Sequence, residues 1–255
     1  MLIEQTIEEM RALRLTGMVE ALEEQLRTRA ASELDFADRL ALLIEREKTA
    51  REDRRFTRLL RDAKLRMQAC VEDIDFRSPR GLDRSVILRL ASCEWIHSHQ
   101  TVLITGATGT GKSYLACALA HSACRQGLST RYYRFSRLLS DLALARADGS
   151  YGKLLEKLAK IQLLLLDDFG LAPLAGTERL DFLEILEDRY GTRATLMTSQ
   201  LPVENWHELT GDPTFGDAIL DRLVHGSHLI TLKGGSMRRR YSSTSDSGTE
   251  EEKPE

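Results

Sequence analysis

The sequence predicts an α/β fold: a parallel five-stranded sheet with flanking helices, preceded by an all-helical N-terminal domain. Three observations lead there. A glycine-rich run, Gly106-Ala107-Thr108-Gly109-Thr110-Gly111-Lys112-Ser113, stands between an apolar, β-branched stretch and a helix-forming one. From residue 101 onward, short apolar runs alternate with helical periods, the pattern of strands joined by right-handed helical crossovers. Ahead of residue 73, apolar residues recur at three- and four-residue spacing, and no proline occurs before Pro79.

Taken in chain order, Leu15, Met18, Val19, Leu22 and Leu26 define one helical face, and Leu34, Phe36, Leu40, Leu43 and Ile44 a second. Ser32, three residues before Asp35, is a suitable cap for that second helix. These helices form a domain over residues 1–72. The periodicity then lapses between Asp73 and Leu82, which reads as a linker. One amphipathic helix over 83–97 leads into the sheet. Strands are expected at 101–105, 130–135, 162–167, 193–199 and 228–232. Helices are expected at 112–126, 136–147, 153–160, 177–190 and 216–225. The second domain thus spans 73–240. Residues 241–255 lack an apolar period, and the last eleven carry five acids against one lysine, the composition of a disordered acidic tail. That tail accounts for the formal net charge of −3, so the rest of the chain is slightly basic.

Composition narrows the class. With 42% hydrophobic residues in 255, the chain can bury one sizeable core and a small appended domain. No apolar run approaches the ~20 residues of a membrane span, and the N-terminus lacks the basic-then-apolar order of a secretion signal. Cys70, Cys93, Cys117 and Cys124 form no CxxC pair, which suits reduced thiols in a cytoplasmic protein. His97 and His99 have no second ligand pair and read as structural.

The glycine-rich run carries the strongest chemical signal. It lies between the strand-like Thr101–Thr105 and the helix-like Tyr114–Ala120, the context a phosphate-binding P-loop requires. Glycines let the backbone N–H groups turn inward, and the helix N-terminus adds a favourable dipole. Gly106 through Ser113, with Tyr114 next in line, are therefore candidates to bind a nucleoside triphosphate, expected to be ATP. Lys112 can reach the β- and γ-phosphates, and the Ser113 hydroxyl can ligate Mg²⁺. Downstream, Leu163-Leu164-Leu165-Leu166 ends in Asp167-Asp168. A continuous apolar run suits a strand covered on both faces. At its end Asp167 is placed to hold Mg²⁺, and Asp168 to polarise the attacking water. A strand followed by a merely acidic turn is the plainer alternative.

Ala194–Ser199 is a further apolar strand with a polar tip, where Gln200, then Thr198 and Ser199, are candidates to read the γ-phosphate or water; a strand-ending turn remains open. Arg222, in Asp217-Ala218-Ile219-Leu220-Asp221-Arg222-Leu223, can act on a neighbouring subunit's phosphates or pair with Asp221 or Asp217. Arg238, in Gly235-Ser236-Met237-Arg238, is a weaker candidate for a nucleotide sensor in the same subunit.

Together the P-loop, Leu166-Asp167-Asp168-Phe169-Gly170, Glu187-Asp188-Arg189-Tyr190, Thr198-Ser199-Gln200-Leu201-Pro202, Ala218–Leu223 and Gly235–Arg238 resemble the AAA+ ATPases, an ASCE branch of the P-loop NTPases. Within them the chain is similar to the IstB-like transposition helpers and, more distantly, the DnaC-type helicase loaders. The resemblance implies an ATP hydrolase that forms a homo-oligomeric spiral or ring, remodels double-stranded DNA and recruits a transposase. A helicase loader is the alternative. A P-loop small-molecule kinase and a scaffold that binds ATP without hydrolysing it are rivals of other classes; the acids on their own strand and the absence of an evident lid count against the kinase.

Two basic stretches are candidates for DNA contact. Arg51, Arg54, Arg55 and Arg58 recur at helical spacing, with Lys48, Arg61 and Lys64 extending the row. Such a row either meets phosphates or forms a solvated face of i,i+4 ion pairs. Between the P-loop helix and the acidic strand lie Arg131, Arg134, Arg137, Arg146, Lys153, Lys157 and Lys160. Arg146 and Lys153 flank a turn between two expected helices and are the candidates there for backbone contacts, which bind without reading sequence.

Overall fold

The computed structural model describes residues 2–28 and 33–237. The chain divides into two compact units, residues 1–59 and 60 onward. Ser32, Arg238 and the acidic tail lie outside the described residues.

The first unit holds α1 (Leu2–Ala12), α2 (Thr16–Arg27) and most of α3 (Phe36–Ala63). Ile7, Val19 and Leu22 form its small core, with Met10 and Leu43 packed against them. Helix α2 enters without a side-chain cap of its own. Its exposed amide ends are answered instead by Glu47, a buried residue of α3. One Glu47 oxygen accepts from the backbone N–H groups of Gly17 at 2.8 Å and Met18 at 3.2 Å. The other accepts from Arg51 Nε at 2.7 Å and Arg54 at 3.2 Å. A carboxylate at a helix N-terminus both satisfies orphan amides and complements the dipole. Gly17 is required for this approach, because a Cβ there would lie 2.7 Å from the carbonyl of Arg46.

In the second unit, strands β1 (Thr101–Gly106), β2 (Thr130–Arg134), β3 (Leu163–Phe169), β4 (Ala194–Ser199) and β5 (His228–Leu232) form one sheet in the order β2-β3-β4-β1-β5. Every neighbouring pair is parallel. Alternation along the strands sends Val102, Ile104, Leu163, Leu165 and Leu196 to one core. Leu103, Leu164, Leu166 and Met197 go to the other. The continuous apolar runs thus follow from burial on both faces. One face is covered by α4 (Arg84–Ala91), α5 (Glu94–His97) and α6 (Lys112–Arg125), the other by α7 (Phe135–Asp148), α8 (Tyr151–Lys160), α9 (Gly176–Arg189), α10 (Trp206–Leu209) and α11 (Pro213–Val224).

Three details depart from the sequence pattern. The helix expected over 83–97 is broken into α4 and α5 by Cys93, which is buried and left-handed at φ 62°. Trp95 fixes the break by donating its indole N–H to the carbonyl of Leu90 at 2.9 Å. Helix α11 starts at Pro213, ahead of the expected 216, because the Asp212 side chain accepts from the N–H groups of Thr214 and Phe215. Residues 60–72, grouped by pattern with the N-terminal helices, contribute Ala69 and Val71 to a core of the second unit.

Arg189, the last residue of α9, is almost wholly buried with no carboxylate partner among the described residues. It donates to the carbonyls of Leu158 at 2.6 Å and Ile161 at 2.8 Å, to Thr195 Oγ1 at 3.2 Å, and to the carbonyl of Ala194. Burial, aided by Arg193, pushes it down to about 9, still cationic at neutral pH. Two of its acceptors lie at the carbonyl end of α8, where the helix dipole is negative.

Glu47 generates a prediction. Burial pushes its carboxyl up, but the bonds from Arg51, Met18 and Gly17 outweigh this and hold it below the ordinary 4.5. Its contribution is therefore complete above pH 4.5 and lost as pH falls through the lower folded value. Glu47→Ala is expected to destabilise the N-terminal helices by about 2–4 kcal/mol. Amide exchange of Gly17 and Met18 will show it, as faster exchange in the variant at neutral pH and in the wild type under acid.

Candidate functional site

The site forms where the carboxyl ends of β1, β3 and β4 meet, at the edge of a parallel sheet where crossovers leave a crevice. The glycine-rich loop leaves β1 and feeds α6. Gly106 has φ 145°, and a Cβ there would run into the carbonyl of Leu232 on β5. Gly111 caps α6 at φ 98°, with the space for a Cβ already taken by Arg80 Nη1 at 2.6 Å. Arg80, nearly buried, props the loop from below. It donates to the carbonyls of Thr110 at 3.1 Å and Asp75 at 2.9 Å. Lys112 Nζ donates to the carbonyls of Gly106 at 2.6 Å and Ala107 at 2.8 Å, which sets the ammonium inside the curl of the loop.

Asp167 is the focus of the site. It is fully buried near the end of β3. Its Oδ1 accepts from Ser113 Oγ at 2.8 Å and Thr198 Oγ1 at 2.6 Å. Its Oδ2 accepts from Tyr132 OH at 2.9 Å and Arg66 Nη1 at 3.1 Å. Burial, and then Asp167 itself, push the Tyr132 phenol up, so it stays protonated and donates. The β3–β4 register slips between Leu166 and Phe169, and Asp168 takes a left-handed conformation at φ 62°. Its N–H donates to Thr198 Oγ1 at 3.0 Å. Its carboxylate lies 3.5 Å from Arg66 and 3.4 Å from Arg134. Thr198 therefore links both acids through a single hydroxyl.

Lys112, Ser113 and Asp168 line a cavity of ≈ 460 Å³ together with Met67, Tyr114 and Gln200. Of the strand-tip candidates, Gln200 lines the cavity. Thr198 is buried on Asp167, and Ser199 is committed to the carbonyl of Phe169 and the N–H of Leu201. The glycine cradle fits a triphosphate. Ser113 and Asp167, hard oxygen donors 2.8 Å apart, fit a divalent cation of the magnesium type. Among the described residues, no group of three or more His, Cys, Asp and Glu side chains offers a rival metal site.

Arg222 lies at the other end of the sheet. It lines a hollow with Thr101 and Thr195, at the amino ends of β1 and β4. It donates to the carbonyl of Ala218 at 2.9 Å and to Glu187 at 2.7 Å. The acid that holds it is thus Glu187, not Asp221 or Asp217; Asp217 faces His207 at 3.2 Å.

The candidate DNA residues separate. Arg51, Arg54, Arg55 and Arg58 line one hollow of the first unit, joined by Arg14 from the α1–α2 turn. Arg51 and Arg54 are braced by Glu47. Arg146, expected to face DNA, instead clamps α7 onto α9. It pairs with the buried Asp181 and lies 3.8 Å over the Tyr151 ring. Lys153 is exposed on α8. The sequence reading missed Arg14, Glu47, Arg66, Arg80 and Tyr132. Only Arg14 and Arg66 carried even a weak signal, as cations near basic stretches.

This sheet order, with the phosphate loop after β1 and paired acids ending β3, defines an ATP-binding domain of the AAA+ class. The chain belongs to the IstB-like ATP binding protein family, which it matches over residues 8–245. It is 52% identical over 239 residues to a putative insertion sequence ATP-binding protein of Sinorhizobium fredii, covering 94% of this chain and 98% of that one. It is 35% identical over 232 residues to a putative ATP-binding protein in an insertion sequence of Mycobacterium tuberculosis, covering 91% and 92%. Among solved structures it is similar in fold to DnaI, with TM-score 0.56 and 21% identity over 69% of this chain and 94% of that one. The DnaC helicase loader is comparable, with TM-score 0.54 and 19% identity over 65% and 97%. Among the described residues, no helix is long and apolar enough to cross a membrane.

Thr198→Val is the sharpest test of the Asp167–Asp168 linkage. It removes one hydroxyl and keeps the volume, so nucleotide affinity is expected to stay within about threefold while turnover falls about 10–100-fold, as for groups that orient a metal ligand. Steady-state turnover beside equilibrium nucleotide binding separates the two effects.

Proposed function

We propose that this protein is a magnesium-dependent ATPase that assembles on duplex DNA and, as a transposition helper, delivers target DNA to a partner transposase. The observation that carries the catalytic part is one cavity lined by Lys112, Ser113 and Asp168, with the buried Asp167 and Thr198 hydrogen-bonded to Ser113 and to the Asp168 backbone at its wall. The N–H groups of Gly106 through Ser113 and the Lys112 ammonium hold the triphosphate, with Tyr114 and Met67 walling the cavity. Ser113 and Asp167 hold Mg²⁺, which supplies charge neutralisation at the β- and γ-phosphates. Asp168 accepts a proton from the attacking water, and Gln200 orients that water from the tip of β4. Arg222 lies too far round the sheet to serve its own subunit's nucleotide. Its place at the opposite edge supports a role on the phosphates of a neighbouring copy, in a spiral or ring.

The DNA assignment rests on the arginine hollow of the first unit, with Lys153 as an exposed contact on the second. Guanidinium groups fixed by a buried carboxylate suit phosphates, which are bound without regard to sequence. The transposition setting is supported by the relatives, named as insertion sequence ATP-binding proteins. A helicase loader is the second reading, favoured by the fold likeness to a protein of that name.

Equilibrium binding to matched duplex and single-stranded DNA, each with ATP, ADP or no nucleotide, tests this reading. ATP-dependent preference for duplex, lost about 10³-fold or more between 50 and 200 mM salt, is the expected result. Preference for single strands moves the protein to the helicase loaders, and binding to neither removes the DNA assignment. Arg222→Ala is expected to bind ATP normally and to lose turnover by about 10³-fold. Unchanged turnover in assembled protein would exclude Arg222 from the mechanism.

A further inference from the structure

Arg66 has no role in the function proposed above, yet its guanidinium reaches both acids of the site. It is 3.1 Å from Asp167 Oδ2 and 3.5 Å from Asp168 Oδ2, and it lines the nucleotide cavity. Those carboxylates are the groups assigned to the cation and to the attacking water. A guanidinium on Asp167 Oδ2 and a divalent ion beside Oδ1 draw on the charge of one carboxylate, and their like charges repel at this separation. We propose that Arg66 is a built-in competitor of the divalent cation, so that loading of metal with nucleotide expels this side chain from the Asp167–Asp168 pair. The inference rests on the assignment of Asp167 and Asp168 to a magnesium-dependent ATPase.

The surroundings make the exchange feasible. Asp167 keeps Ser113, Thr198 and Tyr132 as donors when Arg66 leaves, so no buried charge is stranded. Asp168 keeps Arg134 at 3.4 Å. The backbone at Arg66 is anchored, with Leu65 and Met67 on either side packed against the core and Ala69 buried just beyond. The side chain itself is partly exposed at 39%, which leaves it room to turn out to solvent. Backbone fixed and side chain free is the arrangement of a residue that moves by rotamer. By linkage, whatever affinity Arg66 has for the acids is subtracted from the apparent affinity of the metal.

The test uses the full chain and Mn²⁺ as the probe, with free Mn²⁺ followed by electron paramagnetic resonance in the presence of a non-hydrolysable ATP analogue. Arg66→Met is expected to lower the half-saturating Mn²⁺ concentration roughly tenfold, the scale of one charge-assisted hydrogen bond. Arg66→Lys, which keeps the charge but not the fork, is expected to shift it less. Binding of the analogue in EDTA is expected to stay within about threefold of wild type, because the competition acts at the metal and not at the phosphates. A half-saturation in Arg66→Met that is unchanged, or higher than wild type, overturns the proposal. If Arg66→Met does not fold, Arg66→Gln carries the same comparison. Wild-type protein that binds no Mn²⁺ with the analogue would instead defeat the magnesium-dependent reading itself, a separate result.

Discussion

The architecture of the second unit turns on a single buried charge. Asp167 is withdrawn from water, and a carboxylate so placed is tolerable only if its lone pairs are answered by donors. Those donors come from four different parts of the chain: Ser113 on α6, Tyr132 on β2, Thr198 on β4, and Arg66 from the segment after α3. Satisfying one side chain therefore ties the phosphate loop, the central strands and the entry segment to a common point. The same demand explains why β3 slips its register beyond Leu166. With Asp167 turned into the interior, Asp168 must leave the ladder to face the cavity, and its left-handed backbone accomplishes this while Thr198 holds its N–H. An aspartate tolerates that conformation better than most side chains.

Two other buried charges organise the rest by the same logic. Glu47 caps a helix that has no cap of its own and braces two arginines of the basic hollow. A structural requirement of the N-terminal helices thereby presets the side chains assigned to DNA. Arg189 works in the opposite sense, a buried cation neutralised by carbonyl dipoles and the end of α8 instead of by an acid. It joins α8, α9 and the start of β4 at the edge of the sheet remote from the phosphate loop. Arg222 lines a hollow at that edge together with Arg189. In the proposed mechanism the two edges carry different parts of the chemistry, the nucleotide at the carboxyl ends and an arginine at the amino ends. A single copy cannot bring them together, and this geometry makes assembly a condition of catalysis in the proposed mechanism.

Much of this was legible in the chain itself, for local reasons. The phosphate loop is contiguous, its glycines are dictated by backbone conformation, and the flanking periods identify its strand and helix. Leu163–Leu166 reads as a doubly covered strand because its apolar run is unbroken, and the acids at its end follow from position alone. All five strands lie within a residue or two of their expected places, since a strand buried on both faces needs no partner information to be seen. The helices over α7 and α8 were likewise visible from their period.

Tertiary structure decided the pairings, because charge neutralisation in a folded chain ignores sequence distance. Arg66 meets Asp167 across 101 positions, and Arg146 is drawn to Asp181 across 35. Arg222 is held by Glu187 in preference to the acids beside it in sequence, because a helix turns Asp221 away and packs α11 on α9. The break at Cys93 has no glycine or proline to announce it and is stabilised by the burial of Cys93 and Trp95. The sequence alone determined that a triphosphate site stands at the end of a parallel sheet, since backbone geometry and apolar period are written locally. Which cations guard its acids was decided only when the chain closed on itself, because that depends on which charges burial brings within reach.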